Sequence, residues 1–256
     1  MRIHRVLANN PGPYTGPGTN TWVVGDDTEV VVIDPGPLDS EHAGAILTAI
    51  GDRTVAGVIV THTHEDHAPL ANPLSRDVSA PALGHAPGPS FDPDERLVDG
   101  SEVRFAGETL TVLHTPGHSE DHLCFQLGTV LFTGDHIMGG SSVMVDDLRP
   151  YLQSLERLRR GHYERLLPGH GPEIEDPPAV IDWYLAHRLQ REREILAAVE
   201  AGAATVGAVV EVVYADVDPD LYPLAARSVV AHLRKLSDDG VLSFAGRSWD
   251  DPVSRG

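Results

Sequence analysis

One cysteine and one lysine are all this chain holds of either residue. Cys124 has no partner for an intramolecular disulfide, and no thiolate zinc knuckle can be built within the chain. Its setting, Leu123-Cys124-Phe125-Gln126-Leu127, predicts a buried, inert thiol on a strand. Lys235 stands alone beside the arginines, a bias of composition rather than a functional signal. Positive charge is scarce altogether: 19 basic residues face 38 acidic ones, for a net charge of −19. Such a surface repels phosphate backbones and anionic membranes unless a local basic patch overrides it, and its plain consequence is solubility. No run of eighteen apolar residues is present, which excludes a membrane-spanning helix. Met1-Arg2-Ile3-His4-Arg5-Val6 is too short and too polar for a signal peptide, so the expected compartment is the cytoplasm. There are no internal repeats and no low-complexity segments.

What remains is an ordinary globular composition, 41% hydrophobic over 256 residues, enough for one large domain or a main domain with a small appendage. The first half alternates short β-like runs with turns. Thr21-Trp22-Val23-Val24 and Glu29 to Asp34 fit hairpin strands around Gly25-Asp26-Asp27. Ser40 to Ile50 reads as a helix with Asp39 or Ser40 as N-cap and Gly51 as terminator. An apolar strand, Val55 to Val60, follows. Ala80 to Pro93, rich in Pro and Gly, is expected to be an irregular surface connection and one wall of a cleft. Strands return at Glu102 to Phe105, Leu110 to Leu113, Leu123 to Leu127 and Val130 to Thr133. Asp147 to Arg160 then fits an amphipathic helix with Leu148, Leu152, Leu155 and Leu158 on one face, and Arg165-Leu166-Leu167 a last short strand.

After Asp176-Pro177-Pro178 the pattern changes to three helices: Val180 to Ala201, a short one capped by Thr205, and Leu224 to Ser237. Val241 to Phe244 and a Gly246 turn toward Trp249 complete the outline of a winged helix. A domain boundary is expected near residue 177.

The densest signal lies directly after the apolar strand, where Thr61-His62-Thr63-His64-Glu65-Asp66-His67 gathers three imidazoles and a carboxylate. In a tight loop such residues can point to different sides and serve two metal ions. Three more candidates each follow a strand and a glycine: His118 in Pro116-Gly117-His118, Asp135 in Thr133-Gly134-Asp135, and His170 in Pro168-Gly169-His170. Imidazole and carboxylate donors without thiolate suit zinc, and also accept manganese or iron.

These segments resemble the metallo-β-lactamase superfamily, whose signature is His-x-His-x-Asp-His, then a His, a bridging Asp and a final His. The resemblance spans about residues 1 to 175. It implies an α/β fold, a four-layer αββα sandwich over residues 1–176, followed by a small winged-helix-like α+β domain over 177–256. It also implies two divalent ions, zinc being expected. His62, His64 and His118 match the ligands of the first, Asp66, His67 and His170 those of the second, and Asp135 the carboxylate bridging both. Such ions, roughly 3.5–4 Å apart, would share a water, lower its pKa toward about 7 and hold it as a hydroxide that Asp66 could orient. His122 is expected to support a ligand from behind, His136 is a weaker candidate for the cleft, and His42, His114, His162, His187 and His232 read as surface or helix residues. Where many members continue the first motif with Gly-Gly, this chain has Ala68-Pro69, which leaves ligand assignment intact and the cleft shape open.

Asn10-Pro11-Gly12-Pro13, Gly18-Thr19-Asn20-Thr21 and the tail opening at Trp183-Tyr184-Leu185-Ala186-His187-Arg188 resemble the beta-lactamase-like protein 2 subgroup. That subgroup contains an RNA endonuclease and thioesterases that release polyketides from carrier proteins. The favoured substrate is a thioester or related acyl bond, small or carrier-bound. The alternative is single-stranded RNA, which the acidic surface disfavours. A non-catalytic nucleic-acid or partner-binding regulator is a third reading that a complete ligand set opposes. No membrane partner is expected, and the helical tail offers a surface for a homodimer.

Overall fold

Val30, Val31, Val32 and Ile33 are all fully buried, which successive strand residues achieve only when both faces of their sheet are covered. In the computed structural model, which describes residues 1–140 and 142–256, that strand lies in the middle of the first of two mixed sheets. β1 (Arg2–Leu7), β2 (Asn20–Gly25), β3 (Glu29–Ile33), α1 (Ser40–Ile50), β4 (Thr54–Ile59), α2 (Ala71–Asp77), β5 (Ala82–Gly84) and β6 (Glu95–Arg96) come first. Their strands pair in the order β1-β2-β3-β4-β5-β6, antiparallel through β3 and parallel from there on. The switch follows from α1, a crossover helix that returns the chain in the same direction. Asp39 caps α1 by accepting from the His42 amide, and Gly51, at φ 62°, ends it.

β7 (Glu102–Phe105), β8 (Glu108–His114), β9 (Leu123–Leu127), β10 (Val130–Gly134) and, after α3 (Leu148–Arg159), β11 (Arg165–Pro168) form the second sheet. Its order is β11-β10-β9-β8-β7, with only β10 and β11 parallel. One apolar layer joins the sheets: Trp22, Ile33 and Ile59 from the first meet Val112, Phe125, Phe132 and Leu167 from the second. On the other face of the first sheet, Val32 and Val58 pack with Ile46 of α1 and Leu74 of α2. The architecture is an α/β sandwich with mixed sheets.

Contacts divide the chain into two units. The first is Met1–Pro116, Glu120–Val143 and Arg160–Val180; the second is Gly117–Ser119, Met144–Arg159 and Ile181–Gly256. The second unit thus takes in α3 as well as the tail. α4 (Pro177–Glu200), α5 (Val206–Val213), α6 (Tyr222–Asp238) and the pair β12 (Leu242–Ser243) and β13 (Ser254–Arg255) make up the tail. Ile195, Val199, Val206, Val210, Val229, Leu233 and Phe244 form its core.

Three expectations are revised. Ala80 to Pro93 is not wholly irregular, because Ala82–Gly84 are buried and extend the first sheet as β5. The strand returning to β12 is Ser254–Arg255, not the Trp249 region; Trp249 instead lies against α5, where a side chain on Gly207 would strike its ring. On α3, Leu152 is only half-buried and Tyr151 fills the buried stripe. Among the described residues, no helix is long and apolar enough to cross a membrane.

Thr205 begins α5 by accepting from the Ala208 amide at 3.2 Å. Thr205→Ala is expected to lower the unfolding free energy by about 1 kcal/mol, read as a shifted midpoint in urea with unchanged slope; an unshifted midpoint would show the cap to be idle.

Candidate metal centre

All seven candidate ligands sit just beyond the C-terminal ends of strands: four after β4, His118 after β8, Asp135 after β10 and His170 after β11. Backbone bonds draw these ends together across the sandwich. Asn20 N donates to Gly169 O and Leu123 N to Thr61 O, both at 2.7 Å, so each bond ties one sheet to the other. Asn20 Nδ2 adds bonds to the carbonyls of Pro168 at 2.9 Å and Gly171 at 3.0 Å. The loop after β4 closes as a single turn, the His64 carbonyl accepting from both His67 N and Ala68 N. That turn, rather than simple alternation, separates His64 from His67. Ala68 packs into the apolar core, and α2 starts at Ala71, two residues past Pro69.

Two groups of donors result. Ring nitrogens of His62, His64 and His118 lie within 4.8 Å of one another. His62 Nε2 and His64 Nδ1 are 2.8 Å apart, and His118 Nδ1 faces the Met144 carbonyl at 2.7 Å, leaving Nε2 as its donor. Asp66, His67, Asp135 and His170 form the second group. Its spacings are tight: His67 Nε2 to His170 Nε2 is 3.1 Å, Asp66 Oδ2 to His170 Nε2 is 3.1 Å, Asp66 Oδ2 to His67 Nε2 is 3.6 Å, and Asp135 Oδ1 is 3.3 Å from each imidazole. Four ligands at about 2.0 Å around a tetrahedral centre would be separated by about 3.3 Å. The donor set and its spacing therefore fit a divalent cation.

Electrostatics agree. Burial pushes the His67 and His170 pKa values down, but the carboxylates outweigh it: Asp135, Asp66 and Asp34 hold His67 well above the usual imidazole range, and Asp135 and Asp66 raise His170 to about 9. Burial likewise raises Asp66 and Asp135, and the facing imidazoles reverse this, taking Asp66 to about 2 and Asp135 well below the carboxylate range. In the metal-free chain, imidazolium charge balances the two carboxylates. A cation would take over that role.

The residues behind the donors are where sequence reasoning was incomplete. Asp34, 1% exposed and at φ 50°, accepts from Thr61 N at 2.7 Å and Thr61 Oγ1 at 2.8 Å, and its Oδ2 faces His67 Nδ1 at 2.9 Å. It thereby fixes the ring with Nε2 toward the donor cluster. A buried acid ending an otherwise apolar strand was the available signal. His170 Nδ1 is held by the Gly18 carbonyl at 3.2 Å, and Thr61 Oγ1 lies 3.0 Å from His62 Nδ1. His122 belongs to neither donor group. Its Nε2 accepts from the Asp135 amide at 3.1 Å while Nδ1 faces Thr115 Oγ1 at 3.0 Å, so it positions Asp135 from behind. His136 is buried 5.7 Å from the His122 ring and is also outside the groups. His42 and His232, though on helices, are buried rather than exposed.

Two glycines permit the crowding for different reasons. Gly134 sits at φ 47° beside a register shift in the β10–β11 pairing, a bulge that turns the chain toward Asp135. Gly169 is required for space: a Cβ there would lie 2.6 Å from both Asp135 Oδ1 and His67 Cε1.

In Asp34→Asn, the amide nitrogen would face His67 Nδ1 and force the ring proton onto Nε2, so metal affinity should fall about 10–100-fold in a chelator-competition titration with unchanged far-UV circular dichroism; undiminished affinity would refute the role given to Asp34. A pH dependence follows as well. A metal takes neutral imidazole, and His170 gives up its proton only near pH 9, so uptake at pH 7 should release protons and weaken as pH falls. Calorimetry in buffers of different ionisation enthalpy reads the number directly; zero released protons would contradict it. In the metal-free protein the same interaction stabilises the fold fully below the ordinary imidazole value of 6.5 and is lost as pH rises through about 9.

The metallo-beta-lactamase superfamily matches this chain over residues 14–88 and 70–170, and the beta-lactamase associated winged helix domain over residues 205–249. A beta-lactamase-like protein 2 homolog of Caenorhabditis elegans is 33% identical, covering 94% of this chain and 85% of that protein. An atrochrysone carboxyl ACP thioesterase of Cryptosporiopsis sp. (strain 8999) is 32% identical, covering 96% of this chain and 83% of its own. The crystal structure of a metallo-beta-lactamase family protein from Thermus thermophilus superposes with TM-score 0.80 over 99% of this chain and 98% of the other at 22% identity, a likeness of fold. With its donor clusters at the strand ends and its winged-helix tail, this chain belongs to the metallo-beta-lactamase superfamily and is a hydrolase of that superfamily.

Proposed function

We propose that the chain is a dinuclear zinc hydrolase of thioesters, acting in the cytoplasm on acyl groups bound to a carrier. His62, His64 and His118 would hold one ion and Asp66, His67 and His170 the other, with Asp135 as the carboxylate shared between them. The catalytic domain is residues 1–176 and the winged-helix domain 177–256. Divalent cations in these positions would supply a water of lowered pKa and an electrophile for the developing oxyanion. The chain's own part is to fix the donors. Asp34 and the Gly18 carbonyl orient His67 and His170, His122 aims the backbone of Asp135, and Asp66, the most exposed carboxylate of the cluster at 26%, would orient the attacking water.

The reading is carried by the thioesterase relatives, similar over nearly the whole chain. Charge supports it over RNA cleavage. The sequence gathers arginines at 188, 191 and 193 of α4, the best nucleic-acid candidate in the tail. Arg188 is 3% exposed and lies over the Tyr151 ring at 5.3 Å. Arg191 lies over Tyr214 at 4.3 Å and pairs with Glu194 at 2.8 Å. Both are committed to packing, which leaves Arg193 alone.

Purified, metal-loaded protein assayed in parallel on acyl thioesters and single-stranded RNA should turn over the thioester, and His64→Ala should abolish that turnover. RNA cleavage lost in His64→Ala, with no thioester activity, would replace this reading by the phosphodiesterase. Asp135→Asn is expected to lower metal content and eliminate turnover with the far-UV spectrum retained; full activity would rule out a bridging carboxylate.

A further inference from the structure

The tail carries a cavity of about 550 Å³ to which the hydrolytic site gives no task. Arg227, Val230 and Arg234 of α6 line one wall, spaced along a single stripe of the helix. Arg247 and Trp249 line another, and Asp146 stands at the rim. The Trp249 ring is fixed in place, closely abutting Gly207 and stacked on Tyr222 with centroids 6.2 Å apart.

Three guanidinium groups around one cavity are unusual in a chain of net charge −19. Arg227 pairs with Asp146 at 3.1 Å. Arg234 and Arg247 make no ion pair among the described residues, and Arg234 is half-buried. A partly desolvated cation without a counter-ion is held at a cost that a bound anion offsets. Apart from Asp146 and Ser248, the rest of the lining, Val230 and Trp249 among it, is apolar, so the complementary ligand has an anionic end and an uncharged body. The cavity also borders the strap that fastens a candidate ligand. Asp146 N and Asp147 N donate to the Gly117 carbonyl at 2.9 and 3.0 Å, and Met144 O holds His118 Nδ1 at 2.7 Å.

We propose that this cavity binds the phosphate end of a phosphopantetheine-type thioester carrier, with the phosphodiester between Arg234 and Arg247 and the uncharged arm along Trp249 and Val230. Biological acyl thioesters are carried on such arms, and in the choice of carrier the proposal rests on the thioester reading above. A nucleic-acid strand fits less well. Tracking a polymer takes a line of cations, whereas residues 177–256 hold eight basic against twelve acidic residues and concentrate three of the basic ones here.

The test is calorimetric titration of the full-length, metal-loaded protein with 4′-phosphopantetheine and with pantetheine, comparing wild type with Arg234→Gln/Arg247→Gln. Arg227 is left unchanged because its partner lies in the strap holding His118. The double variant should bind 4′-phosphopantetheine at least about tenfold more weakly, bind pantetheine as wild type does, and keep its metal content. Equal phosphopantetheine affinity in both proteins would overturn the site, as would loss of single-stranded RNA binding in place of phosphopantetheine binding. KM measured on acyl-coenzyme A and on an acyl carrier protein shows which source delivers the arm: a rise in KM with unchanged kcat for either supports the site, and an unchanged KM for both refutes it. If thioesters are hydrolysed with unchanged KM in the variant, this site fails and the thioester reading stands. If phosphate-dependent binding is lost in the variant but no thioester is turned over, the site stands and that reading fails.

Discussion

The centre depends on one buried carboxylate. Asp34 ends a strand whose four preceding residues are entirely apolar and inaccessible, and it satisfies its charge with the backbone and hydroxyl of Thr61 and the ring of His67. A carboxylate so deeply placed would be costly unless it were hydrogen-bonded, and both of its oxygens are. Its three partners all lie in the loop after the neighbouring parallel strand, so satisfying Asp34 also folds that loop. The stability of the sandwich and the geometry of the donors are therefore enforced by the same bonds. Asp is among the few residues other than glycine that tolerate the positive φ needed here.

Around this anchor the fold works against electrostatics and then resolves it. Asp66 and Asp135 both converge on His67 and His170, bringing two carboxylates into a largely buried space. Protonated imidazoles balance them in the metal-free chain; a divalent cation would balance them better, because it would face several donors at once. Crowding of this kind needs backbone that yields to side chains. Gly169 supplies it where Asp135 and His67 approach, and the bulge at Gly134 turns Asp135 inward.

Much of this was legible in the amino-acid order because strands and ligands are local features. His62, His64, Asp66 and His67 occupy one loop, and His118, Asp135 and His170 each follow an apolar run, so strand ends and donors could be read together. What could not be read depends on pairing between distant segments. The Gly18 carbonyl reaches His170 only because β2 begins against β11, and the Met144 carbonyl reaches His118 only through a loop without periodicity. The three residues of β5 are too few to carry a pattern, and their burial comes from pairing with β4. Trp249 marks the limit of turn-based reasoning, since packing on α5 took precedence over a strand at that position.

The arginines of the tail illustrate how structure redistributes a sequence signal. In the linear sequence, Arg188, Arg191 and Arg193 form the visible cluster, and Arg227, Arg234 and Arg247 are scattered. Folding inverts their standing. Stacking on Tyr151 and Tyr214 makes structural elements of the first two, and a helical stripe with a following loop assembles the second set around one cavity. A winged helix that followed a nucleic-acid strand would need the opposite outcome, with cations exposed in a row along one face. A concentrated cationic spot beside a fixed indole, within an acidic surround, instead favours recognition of a single phosphate on an otherwise uncharged molecule. An acidic hydrolase with such a cavity would hold an anionic carrier without attracting polyanions, because long-range repulsion is general whereas the attraction is confined to one cavity.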